Sequence, residues 1–532
     1  MPCTCIRQTE LPHTTKLFAD LVYHFDRVRA FYHYPPHSPD TFGAAAAEVR
    51  LDPAHRAKLV DALAAGNSGE AARRNLDRLA HPDTLVVATG QQVGLYTGPV
   101  YTIYKALSAA RLSAAFIERG ISAVPVFWLA TEDHDLEEIH HTWVFDATNH
   151  PVRLQAAASA LPNQPVGGVR LDDNAAESLH TALAGLPFGA EVGQMAIEAY
   201  PNGATFASGF KALLGRLLEH YGVLLLDPQS PALRELAAPL LSRAIRQAPQ
   251  LTAAILDRGR QLEAAGYHVQ VHMEEKTSLF FLLENGRRTS LRRSGDSYAA
   301  NGATHSSAKL LARLEDSPSD FSPNALLRPV VQDFLLPTVA YIGGPAELAY
   351  LAQAEVLYAH LLGRMPVALP RAGFTILSAR SEKLLGRYRL AITDVLHGAA
   401  ALEQRMADTL IPAHLHAAFD RGHDQIEKAL DAVTAQLLAF DPTLAEALAR
   451  SRRKIEYQFG KIRAKAARES LRRTERARAD AAYLSGLIFP EKTLQERLYS
   501  VLPFLARHGL DLIDQLYGSI RFDCPDHQVV VL

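Results

Sequence analysis

Glu132, Asp133, His134 and Asp135 put four ionisable side chains in consecutive positions, directly after the apolar run Val124-Pro-Val-Phe-Trp-Leu-Ala130. Carboxylates this close repel one another, so their pKa values must shift unless cations or hydrogen-bond donors intervene. Sites that move protons, hold a substrate ammonium or bind a metal share this character. Asp133, His134 and Asp135 are therefore the candidate catalytic groups, set against the alternative of a solvated loop whose carboxylates cap a helix Leu136–His141. A metal would need His134, His140 or His141 beside Asp133 or Asp135. Adjacent histidines on a short helix point in different directions and thiolates are absent, so no metal site is expected.

Three further segments could bind rather than react. Gly90-Gln-Gln-Val-Gly94-Leu-Tyr96-Thr97-Gly98 follows the β-branched run Thr84–Thr89. Backbone N–H groups at a glycine-rich turn and helix start make a concavity suited to phosphate or carboxylate. Gly90, Gln91, Gln92, Gly94, Tyr96 and Thr97 form this candidate, with Lys105 too far along the next helix to help. The segment has neither the Gly-Lys-Ser/Thr of a Walker loop nor the Gly-x-Gly-x-x-Gly dinucleotide fingerprint, and taken by itself it reads first as a tight turn plus a cap. Tyr341, Gly343, Gly344 and Glu347 form the second candidate: the glycines permit close approach of a ligand, and Glu347 could bind an amine or simply favour the helix dipole. Arg328 is a possible anion clamp, or half of a surface pair with Asp333.

These residues need elements that bring them together. Thr84–Thr89 reads as a buried strand ended by Gly90, and Thr97 or Gly98 can cap a helix that opens on Pro99. Val100, Ile103, Tyr104, Leu107, Ala110, Ala114 and Ile117 give that helix one apolar face, Gly120 stops it, and Val124–Ala130 is the next strand. Such a unit is right-handed with parallel strands, so both loops lie at carboxyl ends of strands, where open sheets bind ligands. The grammar returns in a helix Phe206–His220 before the strand Gly222–Asp227, and in the strand Thr338–Ile342, a helix to about His360 and the strand Pro366–Pro370. Five strands imply one doubly wound sheet built from separated pieces of chain.

The expected organisation is a mostly helical segment 1–83, core pieces 84–145, 206–265 and 326–378, insertions 146–205 and 266–325, an arm 379–475 and a C-terminal segment 476–532. The first insertion carries weak strand signals. The second holds a hairpin from Ser278 to Leu291 about Asn285-Gly286, a strong turn signal. The arm reads as two long helices broken at Asp441-Pro442, the first acidic and the second basic, so that opposite charges set their register.

The chain has 532 residues, 48% hydrophobic and 21% charged, with net charge −2, which argues against a surface adapted throughout to nucleic acid. The basic helix lacks the interleaved aromatics of a nucleic-acid module. Three cysteines, Cys3, Cys5 and Cys524, fit a reducing compartment. With no signal-peptide pattern and no apolar run of membrane-spanning length, a cytoplasmic protein without a membrane partner is expected.

Thr89-Gly-Gln-Gln-Val-Gly-Leu-Tyr-Thr-Gly-Pro-Val-Tyr-Thr-Ile-Tyr-Lys105 resembles the signature of the BshC family, as do Val124–Asp135, Ser322–Asp333 and Tyr341–Glu347. Phe489-Pro490 followed by Leu494-Gln-Glu-Arg497 completes the set, although Glu491-Lys492 departs from the expected turn residues. The resemblance implies an α/β fold: a Rossmann-type parallel sheet core similar to class I aminoacyl-tRNA synthetases, two connective insertions and an α-helical coiled-coil arm supporting a homodimer. The synthetase signatures His-Ile-Gly-His and Lys-Met-Ser-Lys-Ser are absent.

The implied reaction joins the carboxylate of cysteine to the glucosamine amine of glucosaminyl-malate, the last step of bacillithiol biosynthesis. An amine does not attack a free carboxylate at useful rates, which calls for ATP, or ADP as bound product. On this expectation the cysteine ammonium lies near Asp133 or Glu347, the Gly90–Gly98 loop holds phosphate or malate, and His134, oriented by Asp135, accepts the amine proton. Lys492, Gln495 and Arg497 are the nucleotide candidates. A nucleotide-sugar-dependent transferase and a non-enzymatic nucleotide-binding coiled-coil scaffold are the alternatives, the latter having no need of the crowded Glu132–Asp135 loop.

Overall fold

The computed structural model describes residues 4–532. Cys3 of the Cys3-x-Cys5 pair lies outside the described residues. In chain order, the elements that position the site are strand β1 (Thr4–Ile6), β2 (Leu85–Gln91), helix α1 (Tyr101–Glu118), β3 (Ala123–Leu129), the short α2 (Leu136–Ile139), β4 (Leu224–Leu226) and α3 (Pro231–Arg246). The hairpin β5 (Thr277–Glu284) and β6 (Arg287–Ser294) follows, then α4 (Arg328–Leu335), β7 (Thr338–Gly343), α5 (Pro345–Leu361), β8 (Val367–Pro370) and β9 (Phe374–Leu377). Last come α6 (Ala413–Phe440), α7 (Ala445–Arg472) and β10 (His527–Val531).

The central sheet runs β8-β7-β2-β3-β4, and every neighbouring pair is parallel. Its strands are apolar almost throughout because both faces are covered. Side chains alternate between the faces: Val86, Ala88, Val124, Val126, Trp128, Leu224 and Leu226 enter one cluster, while Val87, Ala340, Ile342, Val367 and Leu369 enter another on the opposite side. The chain winds outward from β2 through β3 to β4, then returns to the other side of β2 for β7 and β8. The reversal lies between β2 and β7, and a crevice opens there beyond the carboxyl ends.

β2 does not stop at Gly90 but continues to Gln91, with Gly90 opposite Trp128 of β3. A Cβ on Gly90 would lie 2.7 Å from the Trp128 carbonyl oxygen and 2.9 Å from its Cβ, so glycine is required there by the neighbouring strand rather than by a turn. α1 is not a one-faced surface helix either. It is buried on both sides, since the C-terminal part of the chain folds back over it: Val100 N–H donates to Tyr499 O (2.7 Å) and the Tyr104 ring meets Phe374 at 5.0 Å.

The chain ends meet in a second sheet, β1-β10-β9, with β10 antiparallel to β1 and parallel to β9. The Asn285-Gly286 turn has φ of 51° and 72°, as a two-residue hairpin of this hand needs, and three more strands extend the hairpin into a five-stranded sheet. The helix expected over Leu136–His141 ends at Ile139, because His141–Phe145 pairs with Pro151–Gln155 as a ribbon. The first insertion also contains helices Ala176–Leu183 and Gly189–Ala199, the second anchored where Phe188 N–H donates to Ala506 O (2.7 Å).

The projecting arm is narrower than residues 379–475. Leu384, Leu385, Val395, Leu402 and Met406 hold its first helices in the body's core, leaving α6 and α7 as the hairpin. Arg452 pairs with Glu427 and with Asp431 (2.7 Å), and Arg463 with Asp420 (3.2 Å), across the two helices. Asp441 caps the turn between them, accepting from Thr443 N–H at 2.9 Å. Among the described residues no helix is long and apolar enough to cross a membrane.

Gly90→Ala should destabilise the fold by about 1–3 kcal/mol through overpacking against Trp128. Urea unfolding followed by tryptophan fluorescence reads this directly, and an unchanged midpoint would show that the β2–β3 seam yields to a methyl group.

Candidate active site

A cleft of about 380 Å³ opens at the winding reversal, lined from β2, β3, α1, α4, α5 and the residues just beyond them. Its floor is an ion pair. Lys105 of α1 is buried, and its Nζ donates to Gly90 O (3.0 Å) and Gln91 Oε1 (2.7 Å) while pairing with Glu347 of α5. Glu347 also accepts from Tyr341 Oη (2.7 Å) and from Gly344 N–H (2.9 Å). Burial alone would raise the Glu347 carboxyl, but the Lys105 ammonium and these donors outweigh it and hold the group below the usual carboxylate range. The expectation that Lys105 stands too far along its helix is therefore corrected. Side chains on a helix lean toward its N-terminus, which returns a second-turn lysine to the loop before it.

One flank is cationic. Arg328 opens α4 and donates to Tyr350 Oη at 2.7 Å, with its guanidinium 5.8 Å from the Trp128 ring. It does not pair with Asp333, which is buried and accepts from Tyr358 Oη at 2.5 Å. Arg371, just past β8, makes a two-pronged pair with Glu496 (2.9 and 2.6 Å), and its guanidinium lies 5.3 Å from the Tyr101 ring. Arg497 faces the same ring at 6.0 Å. Neither Arg328 nor Arg497 has a carboxylate within ion-pair distance among the described residues. Arg371 and Glu496 escaped the sequence reading because 125 residues separate them.

The other flank is anionic. Gln92 Nε2 donates to Asp133 Oδ2 (2.7 Å) and to Glu138 Oε2 (2.6 Å), holding two carboxylates at the cleft wall. Burial raises the Glu138 carboxyl; the Gln92 hydrogen bond opposes this, and the charges of Asp133 and Asp135 add to the rise. Glu138 was passed over, yet it lies one helical turn beyond Asp135, where α2 turns it back toward Asp133.

The four consecutive ionisable residues do not act as one group. Glu132 is buried against Arg234 of α3 at 2.5 Å. Asp135 caps α2, accepting from Glu138 N–H at 3.2 Å, and so does not orient the His134 ring. His134 lies outside the cleft lining, its Nδ1 3.4 Å from Arg288 Nη1 and 3.7 Å from Asp133 Oδ1. Arg288 comes from β6, so the second insertion closes this side.

The Gly90–Gly98 segment also divides. Gly90, Gln91 and Gln92 line the cleft, whereas Gly94, Tyr96 and Thr97 support it from behind. Tyr200 Oη donates to Gly94 O (3.0 Å) and accepts from Thr97 N–H (3.3 Å), and Tyr96 Oη donates to Asn174 O (2.5 Å). Thr97 caps no helix; it sits at φ 70° beside Tyr96 at φ 50°, a costly pair of conformations maintained by this packing. Tyr341 and Gly344 line the cleft, while Gly343 lies beneath, its carbonyl accepting from Arg371 N–H at 3.0 Å. Of the C-terminal candidates, only Arg497 reaches the cleft. Gln495 is buried and spent on Ile376 and Leu487, and Lys492 lines a separate cleft of about 430 Å³ with Glu10 and His397. Among the described residues no group of three or more His, Cys, Asp or Glu side chains is arranged to hold a metal ion.

The arrangement can hold an amine at one flank, anionic groups at the other, and move a proton at the Glu138 carboxylate. Comparison with known proteins gives the same chain a context. The family domain described as "Bacillithiol biosynthesis BshC, N-terminal Rossmann-like domain" matches residues 1–372, and "Bacillithiol biosynthesis BshC, C-terminal coiled-coil domain" matches residues 374–532. A protein of Solibacter usitatus named "Putative cysteine ligase BshC" is 52% identical over 532 residues, covering 100% of both chains. Proteins of the same name from Koribacter versatilis (37% identity, 99% of each chain) and Salinibacter ruber (33%, 97% of this chain and 96% of the relative) are also similar.

Lys105→Met should cost about 3–5 kcal/mol by leaving the Glu347 carboxylate buried without its cation, and Lys105→Met/Glu347→Leu should recover much of that loss. Chemical unfolding of the three proteins tests the coupling; a double variant as unstable as the single one would show that the pair contributes only through packing.

Proposed function

The chain belongs to the BshC family of bacillithiol biosynthesis, and on that premise we propose that it is a ligase joining the carboxylate of cysteine to the amine of glucosaminyl-malate. The observation that carries this reading is the division of one cleft into the Gln92–Asp133–Glu138 flank and the Arg328–Arg497 flank. Amide formation needs both: carboxylates that accept a proton from an attacking amine, and cations that hold substrate carboxylates or phosphates.

ATP supplies the activation that a free carboxylate lacks. Its phosphates fit Arg328 and Arg497, two cleft cations without carboxylate partners among the described residues, beside the N–H groups at the start of α5. In the same flank these arginines orient the malate carboxylates. Asp133 keeps the acceptor amine at the acidic wall, and Glu138, its carboxyl raised by burial, takes the amine's proton as it attacks the activated cysteine carboxyl and displaces the phosphate or AMP that ATP placed there. The Lys105–Glu347 pair keeps the walls of the cleft in register. His134 serves at the rim with Arg288 and is not the base. The proposed protein is a cytoplasmic homodimer joined along the arm, where Phe440 (84% exposed), Tyr457 (61%) and Ile462 (57%) leave apolar surface uncovered.

Purified protein given cysteine, glucosaminyl-malate and ATP should form the amide thiol by mass spectrometry, with none when ATP is omitted; product from a sugar nucleotide instead would support a transferase. Glu138→Gln should lower kcat by about 10²–10⁴-fold, the usual worth of a general base, while His134→Ala leaves kcat near its parent value. The rate should climb with pH through a limb lying above the ordinary glutamate range, since the base must be ionised, and this limb should vanish in Glu138→Gln. Retention of both kcat and limb would remove Glu138 from the role. Sedimentation should show a dimer that Phe440→Ser/Ile462→Ser converts to a monomer.

A further inference from the structure

Outside the cleft, two of the chain's three cysteines meet at its two ends. Cys5 lies in β1, opposite Gln528 of β10, and Cys524 lies in the turn that leads into β10. Their sulfur atoms are 3.5 Å apart, across 519 residues of sequence. A disulfide requires sulfurs at about 2.05 Å, so closure asks for an approach of roughly 1.5 Å, within reach of side-chain rotation. The turn is held in place by other contacts. Gln8 Nε2 donates to Pro525 O (3.0 Å), Tyr23 Oη donates to Asp526 Oδ1 (2.5 Å), and Gln8 N–H donates to Tyr23 Oη (2.8 Å).

We infer that Cys5 and Cys524 are a reversible dithiol–disulfide pair that fastens the two ends of the chain together, oxidised by a low-molecular-weight disulfide. Cys5 is exposed and Cys524 half-buried, so a small disulfide can reach the pair. The Arg521 guanidinium, paired with Asp523 at 2.9 Å, lies close enough for both sulfurs to act on it electrostatically. The thiolate is the attacking species in exchange. The Cys5 thiolate attacks one sulfur of the small disulfide, forming a mixed disulfide and releasing one thiolate. Cys524, on losing its proton, then attacks the Cys5 sulfur and releases the second. Two protein thiols and one small disulfide thus become one protein disulfide and two small thiols.

The bond would secure the seam behind the cleft's cationic flank. β10 carries His527, whose ring is 2.8 Å from Thr375 Oγ1, and a Cβ on Gly373 would lie within 3.2 Å of both that ring and Glu496, the partner of Arg371. Tying β10 to β1 also constrains the unfolded chain, which raises stability. None of this depends on the ligase reading.

The test uses the full-length chain with Cys3→Ser, incubated at graded ratios of cystine to cysteine, quenched with N-ethylmaleimide and analysed by intact mass and non-reducing peptide mapping. The expected result is loss of two hydrogens, a cross-linked peptide joining Cys5 to Cys524, and a melting temperature that rises on oxidation and falls back with reductant. Cys5→Ser and Cys524→Ser should each lose the cross-link and the shift, and stop at a mixed disulfide on the remaining thiol. Alkylation of both thiols under excess cystine, separate mixed disulfides on each, or a cross-link between two chains would each overturn the pairing.

Discussion

The Lys105–Glu347 ion pair is the interaction on which the cleft depends. It joins α1 to α5 across the carboxyl ends of β2 and β7, where the sheet reverses its winding. A buried ammonium is costly unless neutralised and fully hydrogen-bonded. Here the Gly90 carbonyl and the Gln91 amide oxygen take its remaining protons, while Gly344 and Tyr341 satisfy the carboxylate. Each of these groups belongs to a segment that also lines the cleft. The same contacts that neutralise the pair therefore set the cleft's width and the positions of its walls.

A second pair extends that arrangement into the C-terminal part of the chain. Arg371 lies just beyond β8, and Glu496 is brought to it by a segment more than a hundred residues later. Glu496 also accepts from Phe374 N–H at 3.1 Å, so the carboxylate is tied to β9 as well as to the arginine. The two family domains meet between residues 372 and 374, yet a single apolar cluster takes in Ile6, Tyr104, Phe374, Tyr499 and Val530. The boundary in sequence is thus a continuous interior in space, and Arg497 reaches the cleft because of it.

Charge separation within the cleft follows from where the loops cannot go. Glu132 also lines the cleft but is paired with Arg234, and Asp135 is consumed as a helix cap, so among the described residues Asp133 is the cleft-lining carboxylate of that run with no lysine or arginine partner. Glu138 joins it because Gln92 bridges the two and because α2 is a single turn. Among the described residues no lysine or arginine pairs with Glu138, so desolvation and the neighbouring charges of Asp133 and Asp135 raise its carboxyl against the Gln92 hydrogen bond.

Much of this was legible in the residues themselves. All five strands of the central sheet, their parallel order of use and the Asn285-Gly286 hairpin follow from local signals: continuous apolar runs for strands covered on both faces, and a turn whose backbone angles few residues adopt. Opposite charge on the arm helices likewise foretold Arg452 with Glu427 and Asp431. The sequence also marked Gly90–Gln92, Asp133, Arg328, Tyr341, Gly344 and Glu347, which the fold assembles around one cleft. It did not separate these from Gly94, Tyr96, Thr97, His134, Asp135 and Gln495, which have similar chemistry but point into supporting packing, a rim or a helix cap. Lys105, Glu138 and the Arg371–Glu496 pair came only with the tertiary structure. Local sequence determines which strands and turns form; the direction of a side chain, and the partner that neutralises a buried charge, are decided by segments far away in the chain.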